Sequence, residues 1–368
     1  MARTIDEESV AVVDGIARAD GAGDPEGVVG SPGEGAAVVG VVGAGLIGGS
    51  IIRACLAVDQ PVLVTDRDAT AVAAAADAGA VAGDLQRLRD EADVVFLCAP
   101  PAVIADLWQA WLQLTPTAGS AGAARRSIVM DVSSVKAPVV SGFSSADLPL
   151  ATPDTVFQLS HPMAGRELSG WAAGDGRLFR DASWILTPHA ELTAGELARS
   201  IGVVEAFGAT VCCMEAGFHD RFAAITSHIP HVLAFAFQSL VDEVDRTGWR
   251  RFSGGSLRDV LRISSSNPTL WNEILAGNAD QLVPLLRDLA DRLERFDPAT
   301  DVDGGQPRPL DPPPPERHVE VAMDAAIGEQ AEALLATAEE GLHLDRWAID
   351  AAGASLRLTF APRLASTS

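Results

Sequence analysis

The segment AVVGVVGAGLIGGS (37–50) constrains this chain more than any other. A β-branched run ends at Gly43, glycines recur at the spacing G-x-G-x-x-G (Gly43, Gly45, Gly48), and an apolar helical stretch begins at once. In that order a buried strand passes through a turn almost free of side chains into a helix whose first amides are unpaired. The missing side chains serve a tight turn, close approach of a pyrophosphate, and close packing of helix on strand. The expected cofactor loop is therefore Gly43, Ala44, Gly45, Leu46, Ile47 and Gly48. Asp66 ends the next strand-like run, PVLVTD, 21 residues after Gly45, where a carboxylate can accept hydrogen bonds from ribose hydroxyls. Its charge repels a 2′-phosphate, so NAD is expected ahead of NADP. Arg67 beside it is the residue that suits the phosphate instead.

The alternation continues through DVVFLCAP and SIVMDVSS, each a buried run ending in a loop. Residues 37–190 thus read as a doubly wound α/β domain of Rossmann type with a parallel sheet. Ligands of such sheets lie beyond the carboxyl ends of strands, which brings in Ala99, Pro100 and Ser133 as further cofactor contacts. Residues 191–297 lose the strand signal and take helical periodicity, giving a second, all-helical domain. Residues 298–316 form a Pro-rich linker. Residues 317–368 carry strand, helix and strand signals of a small βαββ unit, too short for a robust core of its own. Residues 1–36, rich in Gly, Ala, Asp and Glu, are expected to be a disordered acidic tail.

Composition narrows the function. The 27 Lys and Arg against 50 Asp and Glu leave a formal charge of -23, which repels nucleic acid and anionic lipid. The four cysteines form no C-x-x-C pair, and the opening MARTIDEESV is acidic where an export signal is basic, so the expected location is the cytoplasm. Two stretches, 35–52 and 222–241, are long enough to test as membrane spans. Glycines break the first and polar residues load the second, so both are expected to be buried segments of a soluble protein.

Chemistry is expected in DVSSVK (131–136) and LSHPMAGRELSG (159–170), polar segments directly after apolar runs. His161 precedes a proline and is held extended; it reads either as an acid–base group or as a loop histidine capping backbone. Ser134 reads either as its partner or as a helix cap. His228 and His231 share a helix face around Pro230, as a polar patch toward a cleft or, with a third ligand, a metal pair; no metal is expected. In GGSLRDVLR, Asp259 stands three residues before Arg262, and an oriented guanidinium suits a substrate carboxylate; a solvated surface pair is the alternative.

Taken together, GAGLIGGS, Asp66, DVVFLCAP, DVSSVK, SHPMAGRELSG, SHIPH, GGSLRDVLR and NPTLW resemble the prephenate and arogenate dehydrogenase family of tyrosine biosynthesis, from residue 38 to 296. The resemblance implies that His161 is the catalytic histidine and Ser134 the serine near the substrate hydroxyl. It likewise implies that Glu167 is a polar active-site residue and His231 a contact to the substrate side chain. Arg262 then holds a carboxylate, supported by Gly255 and Asp259. The implied activity is NAD-dependent oxidative decarboxylation of prephenate, with arogenate as the alternative substrate, by a homodimer joined through the helical domain. The last unit resembles an incomplete ACT domain. A non-enzymatic NAD-binding sensor is the remote alternative, one that His161 argues against.

Overall fold

The computed structural model describes residues 38–120, 122, 126–166, 168–244, 254–297, 316–322, 327–328, 330–339, 342–349 and 355–362. The acidic tail, Glu167 and nearly all of the Pro-rich linker lie outside the described residues. The chain divides into two units, one running to Ala216 and resuming at Pro314, the other Gly217–Pro313.

In the first unit, β1 (Val39–Val42), α1 (Leu46–Leu56), β2 (Val62–Thr65), α2 (Ala69–Asp77), β3 (Val81–Ala82), α3 (Leu85–Glu91), β4 (Val94–Leu97), α4 (Pro101–Gln113), β5 (Ser127–Asp131), α5 (Ala137–Ser145) and β6 (Thr155–Pro162) alternate. β1, β4, β5 and β6 lie side by side and parallel. On the other side of β1, the Val39 and Gly43 amides donate to the Pro61 and Thr65 carbonyls at 3.0 Å, which seats β2, with β3 parallel beyond it. The order therefore reverses between β1 and β4, the switch point where ligands of doubly wound sheets bind. Every residue of β1, β4, β5 and β6 is buried, which is why these strands read as continuous apolar runs.

The sheet is not parallel throughout. β7 (Ser183–Thr187) pairs antiparallel with β6, and β8 (Thr210–Cys213) follows β7 in parallel after α6 (Ala194–Ala206). Helix α6 opens with a capping box in which Thr193 and Glu196 satisfy each other's backbone amides.

β8 ends the sheet, and an uncovered edge strand invites mispairing. The C-terminal elements β9 (Arg317–Ala322), α12 (Gln330–Glu339), β10 (Leu342–Ile349) and β11 (Ser355–Pro362) cover it, as an antiparallel sheet of order β10-β11-β9. Trp347 Nε1 donates to Glu205 Oε2 at 2.6 Å, the Ile327 amide to the Leu192 carbonyl at 2.8 Å, and Cys212 Sγ to the Leu342 carbonyl at 3.7 Å. Val319, Val321, Leu356, Leu358 and Phe360 belong to the same buried core as the main sheet.

The second unit is helical. α7 (Ala216–Ala223) runs through a π-turn, Ala224–His228, into α8 (Ile229–Val244), followed by α9 (Gly255–Ser264), α10 (Pro268–Gly277) and α11 (Ala279–Glu294). Pro230 has no amide hydrogen for the carbonyl four residues back, and the widened turn just before it absorbs the mismatch. The helix Ala216–Glu243 is long and apolar enough to cross a membrane by length and composition. Contrary to the sequence expectation for 222–241, it is mostly not buried: Ile225, Leu233, Phe237 and Leu240 are exposed, the last at 55 %. The residues 35–52, where described, behave as expected, with β1 and most of α1 inside the core.

Candidate active site

The three glycines of the loop do three different things. Gly43 has φ +92°, and a methyl group there would lie 2.3 Å from the Cys98 carbonyl oxygen. A methyl on Gly48 would lie 1.8 Å from the Gly43 carbonyl oxygen and 2.5 Å from Val41 Cγ1, so helix and strand touch backbone to backbone. A methyl on Gly45 would meet nothing within 4 Å, which leaves open space in front of α1. No side chain caps the first turn of α1, so its amides are left for a ligand.

Asp66 lies at the end of β2 as the sequence implies, but its carboxylate is engaged. Oδ2 accepts from the Ala44 amide at 2.6 Å and Oδ1 from the Asp68 amide at 2.8 Å, so it braces the glycine loop. Arg67 is exposed. Ala99 and Pro100 follow β4 and lead into α4. Burial, then the Asp66 and Asp131 carboxylates, push the thiol of Cys98 beside them well above the ordinary range. An open glycine turn, uncapped amides and an acidic strand end fit a dinucleotide.

Ser133 and Ser134 follow the end of β5, and His161 lies near the end of the adjacent strand β6, so all three stand at the carboxyl end of the sheet. His161 is not in a loop: it is the penultimate residue of β6, opposite Ile185 of β7, and only 9 % exposed. The extended backbone that a following proline imposes is strand backbone here. Ser134 is half-buried, while Ser133 is buried and gives its amide to Asp131 Oδ2 at 3.1 Å.

Two residues that the sequence reading passed over dominate this edge. Asp131 and Lys136 are both fully buried and form an ion pair, Nζ to Oδ2, at 2.5 Å. Lys136 Nζ also donates to the Ser160 carbonyl at 2.5 Å, and Asp131 Oδ1 accepts the Ser160 amide at 2.8 Å. The signal that could have found them is compositional: Lys136 is the sole lysine of the chain, all its other basic side chains of that class being arginine.

The second unit holds the other expected residues. His228 is buried with His219, Asp220 and Asn278. Asn278 Nδ2 donates to the Asp220 carbonyl at 2.7 Å and lies 3.0 Å from His228 Nδ1, which makes that nitrogen an acceptor and places the His228 proton on Nε2. Burial pulls His228 down to about 4. His231 has the opposite tautomer, because its Nδ1 lies 2.8 Å from the Ser227 carbonyl, which only accepts. Its ring stacks on Trp271 at 3.5 Å between centroids, and burial lowers its pKa too. Among the described residues no group of three metal-ligand side chains is found. Arg262, Asp259 and Gly255 share α9 and are exposed, Arg262 in its last turn.

A doubly wound sheet with an open glycine turn, an acidic strand end and a histidine at its carboxyl edge, joined to a helical unit, defines a dinucleotide-dependent dehydrogenase. Residues 52–213 match the nucleotide-binding domain of prephenate dehydrogenase and residues 215–300 its dimerization domain. The chain is 34% identical over 257 residues to the cyclohexadienyl dehydrogenase of Zymomonas mobilis, spanning 67% of this chain and 83% of that one. It belongs to the prephenate dehydrogenase family and is an NAD-dependent oxidoreductase. The arogenate dehydrogenase of Synechocystis matches with 26% identity and a TM-score of 0.55, over 72% of this chain and 92% of that one. The prephenate dehydrogenase of Aquifex aeolicus in complex with hydroxyphenyl propionate and NAD+ shares the fold, with a TM-score of 0.60, 22% identity and coverage of 72% and 91%.

Proposed function

We propose that the chain converts prephenate to 4-hydroxyphenylpyruvate by oxidative decarboxylation. The observation that carries this reading is His161, buried at the carboxyl edge of β6, on the same sheet edge as the glycine loop. Bound NAD supplies the acceptor for the hydride that leaves the ring carbon bearing the hydroxyl. His161 takes the hydroxyl proton as carbonyl character develops, with Ser134 beside the same oxygen. Arg262 holds a substrate carboxylate through its two-pronged guanidinium, with Asp259 and Gly255 supporting it, and Glu167 and His231 serve the side-chain end. The ring carboxylate departs as carbon dioxide, and aromatisation drives the step. Gly43, Ala44, Gly45, Leu46, Ile47 and Gly48 receive the pyrophosphate, Asp66 the ribose, and Ala99, Pro100 and Ser133 flank the nicotinamide end.

Arogenate is the second reading. Neutral His231, with its proton on Nδ1, offers a lone pair on Nε2 that suits an ammonium better than a keto oxygen. The 34% identical relative is named a cyclohexadienyl dehydrogenase, a name that does not choose between the two substrates. The enzyme acts in the cytoplasm as a homodimer, its exposed Ile225, Leu233, Phe237 and Leu240 covered by a second copy. Steady-state rates with prephenate and arogenate, each with NAD and NADP, test the assignment: NADH and carbon dioxide form with prephenate. Turnover of neither substrate overturns it, and a monomer mass by light scattering overturns the dimer.

A further inference from the structure

Every basic side chain of the Lys and Arg class is arginine except Lys136, and that one lysine is buried beside the histidine assigned to proton transfer. Arginine is a broad planar fork, whereas lysine is a compact point charge with three donors in tetrahedral directions. The Lys136 ammonium meets Asp131 Oδ2 and the Ser160 carbonyl, both at 2.5 Å, in a space with 1 % of its side chain exposed. Asp131 completes the figure from the other side by accepting the Ser160 amide at 2.8 Å, while Ser160 Oγ donates to the Asp131 carbonyl at 2.5 Å and receives Trp184 Nε1 at 3.1 Å. Both backbone groups of the residue before His161 are thus held by one ion pair that bridges β5 and the start of α5.

A buried ion pair is a poor device for stability alone, since well-packed apolar residues of the same volume usually do as well or better. What it does supply is a fixed geometry. We propose that Lys136 and Asp131 are positioning residues for His161: by clamping the Ser160 peptide they hold the imidazole where the substrate hydroxyl must present its proton. A proton-transfer group loses rate steeply when it is displaced by a fraction of a hydrogen-bond length, and the binding of cofactor and substrate need not change with it. This inference rests on the proposed role of His161.

The test separates positioning from fold support. Lys136→Met in the full chain leaves the Asp131 carboxylate buried and unpaired, so it is expected to lower the unfolding midpoint as well as the rate. The double variant Asp131→Leu, Lys136→Met removes both charges and is expected to recover part of the lost midpoint, the Ser133 and Ser160 amides being left without their carboxylate acceptor. In the double variant kcat is expected to stay at least about tenfold below wild type, with KM for prephenate and the dissociation constant of NAD within about threefold. Lys136→Arg, which keeps the charge and loses the shape, is expected to fall short of wild-type kcat as well. A double variant that folds, binds NAD and turns over at the wild-type rate overturns the proposal. So does a loss in which kcat, KM and NAD affinity all move together. Failure of the wild-type chain to turn over either cyclohexadienyl substrate is a different result, and removes the role of His161 itself.

Discussion

The Arg53 guanidinium lies 3.7 Å over the ring of Trp171, and the two residues fasten the segment after His161 to the helix that begins at the cofactor loop. Around them the approach is backbone to backbone. A methyl on Gly174 would lie 2.9 Å from the Gly49 carbonyl carbon, and the Asp175 amide donates to the buried Ser50 hydroxyl at 3.0 Å. Arg166 then pairs with Asp175 at 2.5 Å. Trp171→Ala is expected to speed amide exchange in residues 163–177 selectively and to raise KM for the cyclohexadienyl substrate by roughly the five- to thirtyfold that a partly desolvated cation–π contact is worth. Trp171→Phe retains a ring and should lie near wild type. Uniform exchange across the first unit in Trp171→Ala would mean that the stack supports the whole sheet and not this segment.

The two inner glycines of the loop should separate binding from folding. Gly45→Ala meets nothing within 4 Å and is expected to fold with an unchanged melting temperature while NAD binds at least about tenfold more weakly, because the methyl takes the pyrophosphate's space. Gly48→Ala drives a methyl into the Gly43 carbonyl and should cost about 1 to 3 kcal/mol of stability from forced backbone movement. Calorimetry of both variants, with and without NAD, checks the contrast; equal melting temperatures with equal loss of NAD affinity would contradict it.

His161→Asn and Arg262→Ala are expected to fail in opposite ways. The first loses proton transfer and should lower kcat at least about 10²-fold with NAD affinity nearly intact. The second loses a charged hydrogen bond worth about 1.5 to 3 kcal/mol and should raise KM about ten- to a hundredfold. An Arg262→Ala enzyme with normal saturation would show that another cation holds the carboxylate.

How much of this was legible in the sequence depends on whether the cause was local. The strands of the first unit were readable because burial on both faces writes continuous apolar runs, and the glycine loop because its spacing is a backbone requirement. His161 reads equally as loop or strand, since a residue before proline is extended and extension does not tell one from the other. Asp131 and Lys136 lie five residues apart, and nothing in that spacing shows that both reach Ser160 on the neighbouring strand. The Arg53–Trp171 stack joins residues 118 apart, beyond any periodicity. The apolar run at 222–241 shows that Leu233, Phe237 and Leu240 need cover, but an apolar helix reads the same whether its own chain or a second copy supplies it.

Acid should weaken the fold through its histidines. Burial holds His228 at about 4 against an ordinary 6.5, with the Asp220 carboxylate opposing the shift and His219 and His231 adding to it. Between pH 6.5 and 4 the unfolded chain takes up a proton that the folded chain refuses, so stability falls as pH falls through that window. This one group contributes at most about 1.4 kcal/mol per pH unit. His231 and His189, both lowered by burial, act in the same direction. Urea midpoints from pH 7 to pH 4 are expected to decline, and His228→Asn should flatten part of the slope. A His228→Asn slope identical to wild type would show that this histidine already charges in the native state.

The C-terminal elements offer the last test. Read as sequence, residues 317–368 are an appended unit too short to stand alone, and a chain cut after Asp311 should then lose little besides the appendage. In the structure they cover the β8 edge, and Leu356, Leu358 and Phe360 are as deeply buried as the strands of the main sheet. Trp347 holds Glu205, whose carboxyl is pushed up by burial, and Ile327 ties to Leu192 ahead of α6. Burial of each large apolar side chain is worth about 1.5 to 3 kcal/mol, so losing several at once exceeds the effect of an ordinary point substitution. Truncation after Asp311 is expected to lower the melting temperature of the first unit by at least about 10 °C and to leave a chain that associates through the bared β8 edge. Trp347→Ala should lower it by a smaller step in the same direction, since it removes one ring and leaves half-buried Glu205 without its donor. A truncated chain that stays monodisperse and melts with the full-length protein would show that this sheet is an accessory module and that β8 needs no cover.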